Sequence, residues 1–379
     1  MRTVVTQRKL DHFTDTAADT LAGGRRAGDS PVHTGLVQGD VLDVLARVPD
    51  DTKFDVVIAD PPYNIGKDFG NDSDSRPMAQ YVEWSEAWIA RCLDLLAQGG
   101  ILYIYGFPET LAHLAVRYPL ESQHWLAWHY TNKAVPKARF WQRSHESILC
   151  LWPLGRPRPV LEVDQIREPY TDTYRKNAVG KVRTGTDSRF GGRNGRETLY
   201  KDHGGALPRD ILKVPALAGG AGAAERWFKC YDCGGMVFPP QQAKHHRGHT
   251  TMKHPTQKPM ELTRRLIRSR ITGNRGRLMV PFAGSGSECV VAMDMGIDWL
   301  GIEINPEYVD FARQWMGYVS SDRQNGAAPR AGSKAIPRPV HRGPLPGLGD
   351  GRTACAGDQG GHKRGPSPRV ERSRTRRPG

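Results

Sequence analysis

Residues 277–303 read "RLMVPFAGSGSECVVAMDMGIDWLGIE", and they decide the fold. "RLMV" is a short apolar run, the glycines of "FAGSGS" at 282–287 end it, and "SECVVAMDM" follows as a helix. "WLGIE" is a second apolar run. Glycines at such a turn let backbone approach a ligand closely, and the helix behind them offers unpaired N–H groups. Glu303 lies nineteen positions beyond Gly284, at the end of the second strand. In a β-α-β unit, an acid at that point is placed to hydrogen-bond ribose hydroxyls. A lone Gly-x-Gly is only a tight turn, and a lone strand-end acid is only a solvated carboxylate. Together, in this order, they point to an adenosine-bearing cofactor. No Gly-x-x-x-x-Gly-Lys-Ser/Thr occurs, which disfavours a phosphate-cradling nucleotidase.

The same rhythm extends upstream. "GLVQGDVLDVLARVP" predicts a strand, a turn at Gly39-Asp40 and a helix from about Val41. "FDVVIAD" is a β-branched run that fits a buried parallel strand. Tyr81, Trp84, Trp88, Cys92, Leu95 and Leu96 fall at helical spacing, with Gly99-Gly100 expected to close that helix. "ILYIYG", "WLAWHY" and "SHESILCLW" predict further strands, and "PMELTRRLIRSRI" a helix. This alternation predicts an α/β, doubly wound, Rossmann-like sheet.

The rhythm fails across 153–253, a stretch rich in Arg, Lys, Gly, Asp and Tyr that reads as an insertion of loops and small elements rather than sheet core. The expected organisation is therefore a loose segment at 1–35, a first half of the sheet domain at 36–152 and the insertion at 153–253. A second half at 254–319 and a basic tail at 320–379 complete it.

The formal net charge is +14, and the distribution qualifies it. Residues 320–379 hold thirteen Lys or Arg against four Asp or Glu, in a Gly- and Pro-rich stretch too poor in aliphatics to fold. It reads either as a solvated extension or as a non-specific DNA-binding arm. No run of eighteen apolar residues predicts a membrane span, and no secretory leader is visible. Six unevenly spaced cysteines predict a reducing, cytoplasmic setting rather than a disulfide framework.

"FDVVIA" runs directly into Asp60-Pro61-Pro62-Tyr63, "DPPY". Two prolines end a strand and hold the chain in a rigid corner, with an acid before it and an aromatic after it. By itself this is an ordinary turn. With "HPTQKP" at 254–259 and "PFAGSGS" at 281–287, it resembles the beta-class S-adenosylmethionine-dependent DNA amino-methyltransferases. The three motifs occur in that family's permuted order, and the resemblance spans roughly Leu36 to Gly317.

The resemblance implies a set of roles. Phe282, Gly284 and Gly286 line the S-adenosylmethionine pocket, Glu303 takes the ribose, and Lys258 lies near the methionine part. Asp40 matches an acidic position that approaches the adenine. Asp60 and the Pro61 carbonyl hold the exocyclic amine of a flipped DNA base, Pro62 stiffens the corner, and Tyr63 stacks on the base. Asp rather than Ser at the head of "DPPY" favours N6 of adenine over N4 of cytosine. Phe140 or Trp141 is a second stacking ring or a core residue. The insertion is where the family keeps its target-recognition region, facing double-stranded DNA, and a cognate restriction endonuclease is an expected partner. No cysteine has the Pro-Cys context of a carbon-directed cytosine enzyme. An RNA or protein-glutamine methyltransferase, and a non-catalytic DNA-binding protein, are the rival readings.

Within the insertion, Cys230, Cys233, His245 and His249 follow a Cys-x2-Cys, eleven-residue, His-x3-His spacing close to that of structural zinc sites. The alternative is a pair of buried thiols with basic histidines turned toward DNA.

Overall fold

The computed structural model describes residues 35–67, 74–132, 139–184, 197–217, 226–234, 236–237, 248–252, 254 and 256–324. All but the last residue of the N-terminal segment, the tail beyond Gln324, and His245 lie outside them.

In chain order, the first half carries β1 (Gly35–Gln38), α1 (Val41–Arg47), β2 (Phe54–Ala59) and α2 (Met78–Asp94). It continues with β3 (Leu96–Gly106), α3 (Pro108–Ala115), β4 (Gln123–His129) and β5 (His145–Leu151). The insertion holds α4 (Asp172–Asn177) and the short strands β6 (Val182–Thr184), β7 (Glu197–Leu199), β8 (Ile211–Lys213), β9 (Phe228–Cys230), β10 (Met236–Val237) and β11 (Thr251–Met252). The second half carries α5 (Met260–Arg268), β12 (Arg277–Val280), α6 (Ser287–Met295), β13 (Asp298–Glu303) and α7 (Pro306–Gln324).

Eight strands form the main sheet in the order β1-β13-β12-β2-β3-β5-β4-β8. From β1 to β3 all neighbours are parallel, whereas β5 is antiparallel to both β3 and β4. Although 222 residues separate them in sequence, β2 and β12 lie side by side, with Val56 opposite Leu278 and Val57 opposite Met279. The chain leaves β2 toward β3 on one side and leaves β12 toward β13 on the other. The crevice between their carboxyl ends is thus a topological switch point, where open α/β sheets bind ligands.

Apolar alternation covers both faces. Val56, Ile58 and Leu278 join α5, α6 and α7 in one core, while Val57, Ala59 and Met279 join α1, α2 and α3 in the other. Two expectations need correction. Gly99-Gly100 do not close α2, which ends at Asp94; they lie inside β3, where its register against β2 shifts. Gly99 sits at φ +71°, and a Cβ on Gly100 would stand 2.9 Å from the Phe54 carbonyl oxygen, so the irregularity needs both glycines. The insertion also reaches the main sheet: β8 pairs parallel with β4 and forms its eighth strand.

Candidate active site

The corner at the end of β2 is held from several sides. Tyr81 on α2 donates to the Pro62 carbonyl at 2.8 Å, and Thr110 on α3 donates to the Tyr63 carbonyl at 3.2 Å. Asn64 adopts φ +58°, which aims successive N–H groups at the buried Asp74. The backbone N–H groups of Asn64, Ile65 and Lys67 donate to its carboxylate at 2.5, 3.3 and 2.6 Å. Asp74 therefore clasps the segment that follows "DPPY". The Pro61 carbonyl accepts no hydrogen bond from the described residues.

Behind the corner lies a buried charge cluster. Lys258, 2% exposed, reaches from the far side of the insertion to within 2.8 Å of Asp60 Oδ1 and 3.4 Å of Glu146 Oε2. The Tyr63 hydroxyl sits among them, 2.9 Å from Asp60 Oδ1, 2.8 Å from Glu146 Oε2 and 3.1 Å from Lys258 Nζ. Tyr130 donates to Glu146 Oε1 at 2.6 Å. The ammonium also faces the Tyr63, Tyr105 and Trp128 rings at 4.9 to 5.9 Å. Burial alone would lower the Lys258 ammonium, but the two carboxylates outweigh it and raise its pKa. The two acids are pushed apart. Burial lifts Asp60, with Lys258 opposing; Glu146, though also buried, ends below its usual value through Lys258 and the hydroxyls of Tyr130 and Tyr63. Asp60 is thus the better proton acceptor and Glu146 the standing anion.

The glycine turn forms the opposite wall. Gly284 has φ +50°, and a Cβ there would lie 2.7 Å from His254 Nε2, so only glycine fits. Its N–H donates to Glu303 Oε2 at 2.7 Å, and Asn305 N–H donates to Glu303 Oε1 at 2.8 Å. Burial raises the Glu303 carboxyl, and these backbone donors oppose it. His254 is held neutral, its pKa near 3, by burial and by the cations Lys258 and Arg226. Phe282 meets Trp84 and Trp88 of α2 edge-on at 5.7 and 5.1 Å.

Asp60 to Tyr63, Lys258, Phe282, Gly284 and Glu303 all line one cleft, together with Glu288. Asp40 and Gly286 do not. Asp40 caps α1 instead, accepting from Leu42 N–H at 2.8 Å, beside the carboxyl end of β13. Gly286, at φ +80°, serves packing: a Cβ would lie 2.8 Å from Ala312 and 2.9 Å from Met316 of α7. Phe140 and Trp141 are 83% and 87% exposed, so neither is a core residue. Cys230, Cys233 and His249 converge, with ligand atoms all within 4.8 Å of one another.

Three functional groups escape a reading of the sequence. Glu146 is the acid within the apolar strand "HESILCL", Glu288 the acid that opens the apolar helix "SECVVAMDM", and Asp74 lies in a polar loop. The first two carry a signal, an acid in an otherwise apolar run. Glu288 is 4% exposed; its Oε2 accepts from Ser287 at 2.8 Å, while the buried Oε1 has no hydrogen-bond partner among the described residues. Burial and the nearby Asp60 raise its pKa to about 7.

Comparison with known proteins supplies the wider context. Residues 54–314 match the N6_N4_Mtase family, described as DNA methylase. The type II methyltransferase M.HpaI of Haemophilus parainfluenzae is 25% identical over 274 residues, which cover 70% of this chain and 68% of that protein. The DNA adenine methyltransferase YhdJ of Escherichia coli strain K12 is 25% identical over 295 residues, 75% of this chain and 84% of that one. Among solved structures, the cytosine-N4-specific PvuII DNA methyltransferase covers 77% of this chain and 93% of its own, at 14% identity and a TM-score of 0.48.

Proposed function

This chain belongs to the N6/N4 DNA methylase family, whose members use S-adenosylmethionine to methylate a base amine of DNA, and on that premise we propose that its target is the N6 amine of adenine at a specific site in double-stranded DNA. The observation that carries the reading is the disposition of Asp60. Its Oδ1 is engaged by Lys258 and Tyr63, which leaves Oδ2, together with a Pro61 carbonyl that accepts no hydrogen bond among the described residues, for the two N–H bonds of a base amine. Asp at the head of "DPPY" and the similarity to the DNA adenine methyltransferase of Escherichia coli both support adenine over cytosine.

The cleft fits the cofactor. Four acids against two lysines line it, which suits a ligand of net positive charge, and Glu288 Oε1, without a partner among the described residues, is an acceptor for an ammonium. Phe282, Gly284, Glu288, Glu303 and Lys258 are the residues that would hold it. When bound, S-adenosylmethionine supplies a methyl group activated by its sulfonium charge.

An exocyclic amine is a poor nucleophile because its lone pair is delocalised into the ring. Asp60 Oδ2 and the Pro61 carbonyl accept its two N–H bonds and turn that lone pair out of conjugation. The prolines, with Tyr81 on the Pro62 carbonyl, keep the acceptors still. Asp60, lifted by burial, takes up the released proton. Tyr63, its hydroxyl fixed by three partners, offers a rigid ring on which a base flipped from the duplex stacks. The exposed Phe140, on the loop between β4 and β5, is the second ring. The insertion reads the target sequence, and a cognate endonuclease inside the same bacterial or phage-infected cell is the matching partner.

Incubation of the purified chain with S-adenosylmethionine and genomic DNA, followed by long-read modification sequencing, tests the proposal. The expected result is N6-methyladenine in one sequence context; N4-methylcytosine would overturn the adenine assignment.

A further inference from the structure

Beyond the methyl-transfer cleft, the insertion holds a second constellation of reactive groups. Cys230 ends β9, Cys233 follows in the turn, and His249 precedes β11. His249 Nδ1 lies 3.5 Å from Cys230 Sγ and 3.3 Å from Cys233 Sγ. One ring nitrogen offers either a single in-plane lone pair or a single N–H, so it serves two thiols at once only through a split, weakened bond. A metal ion can serve both in full. In a tetrahedral site with Zn–S near 2.3 Å and Zn–N near 2.05 Å, sulfur and nitrogen stand about 3.6 Å apart. The observed separations match that spacing closely.

The surrounding backbone is arranged to hold it. Gly234, at φ +69°, reverses the chain, and its N–H donates to the Cys230 carbonyl at 2.9 Å, which folds Cys233 back over Cys230. Thr250 N–H donates to Asp232 at 2.6 Å, Tyr231 N–H donates to the Thr250 carbonyl at 3.0 Å, and β11 pairs with β9. His249 is thereby fixed opposite the cysteine turn.

We propose that Cys230, Cys233 and His249 bind one Zn2+ ion through two thiolate sulfurs and Nδ1, and that this ion locks the β9–β11 sheet onto the second half of the methyltransferase domain. On binding, each thiol gives a proton to solvent and each sulfur donates an electron pair to the metal; nothing is oxidised. These residues fill three corners of the tetrahedron.

The lock has visible points of contact. Lys229 pairs with Asp310 of α7, the Tyr231 hydroxyl reaches Glu307 at 3.5 Å, and Trp227 lies against Trp315 at 5.8 Å. On the other side, Arg226 donates to the His254 carbonyl at 3.0 Å, and Trp227 N–H donates to Gln257 at 3.3 Å. The sheet therefore ties α7 to the segment that delivers Lys258 to the cleft. Strands of two or three residues cannot hold such a position by their own packing. The ion takes no part in methyl transfer; it positions the recognition region.

Elemental analysis of the purified full-length chain is expected to find about one zinc per chain, reduced at least about tenfold in Cys233→Ser and in His249→Asn. Titration of the metal-free protein with Co2+ is expected to give the ligand-field bands of a tetrahedral thiolate site, and these bands are lost in both variants. Circular dichroism of each variant separates loss of metal from global unfolding. Wild-type protein with neither zinc nor a Co2+ spectrum would overturn the proposal. So would a full zinc content in the folded variants, which would place the ion elsewhere.

Discussion

The cleft between β2 and β12 and the small sheet of β9 to β11 both gather residues from distant parts of the chain, but they are stabilised differently. In the cleft, Lys258 is buried and its partners Asp60 and Glu146 are only 13% and 14% exposed, and eight strands with helices on both faces hold them. In the small sheet, Lys229 and Asp310 meet at the rim, with Asp310 half exposed, and the strands are two or three residues long. Position in the first region is imposed by the core. In the second it depends on docking and on three metal-ligating side chains. A charge pair of the same type should therefore matter in one region and hardly at all in the other.

The largest effect breaks the cleft's chemistry and leaves its architecture. Asp60→Ala should lower methyl transfer by on the order of 10³-fold, since it removes both amine acceptor and base. Binding of S-adenosylhomocysteine, measured by calorimetry, should change little; retained transfer would remove Asp60 from the mechanism. Gly284→Asp should abolish cofactor binding outright, because its Cβ would collide with His254 and strain φ.

The next pair of variants addresses the comparison directly. Lys258→Met should cost about 3–5 kcal/mol at neutral pH, because Asp60 and Glu146 are left buried without their cation. Lys258 holds Glu146 below its ordinary pKa, so that carboxylate contributes stability above about pH 4.5 and loses it as pH falls. The penalty of Lys258→Met should accordingly shrink in urea titrations as pH falls below about 4.5. Lys229→Met at the rim should cost less than about 1 kcal/mol at either pH. Equal costs would contradict the contrast between the regions.

The smallest effect is a pH dependence. Glu288 titrates near pH 7 and ionises as pH rises through that value, adding a negative charge to the cleft. Binding of the cationic S-adenosylmethionine should tighten several-fold between about pH 6 and 8. S-adenosylhomocysteine, which lacks the sulfonium charge, should respond less. Glu288→Gln should flatten the slope, and an unchanged slope would assign the titration to another group.

Much of the fold was legible because its signals are local. The apolar run of β2, the diproline corner and the glycine turn before α6 are written in consecutive residues. The errors have a common origin. Gly99-Gly100 look like a helix stop, yet β2 alongside turns them into an irregularity within β3. At Asp40 and Gly286 the structure adds roles that no motif announces, a helix cap and a close approach to α7. Glu146 escaped notice because its role exists only once β5 brings it beneath Tyr63 and Lys258.

By itself, then, the sequence determined the types of element, their order along the chain and the chemical character of each motif, since dihedral preference and apolar periodicity act over a few residues. Only the tertiary structure decided which strands are neighbours. That choice set "DPPY" beside the glycine turn, Glu146 against Lys258 and the cysteine turn against α7. Those contacts are decided by burial summed over the whole sheet, a quantity that no short stretch of residues contains.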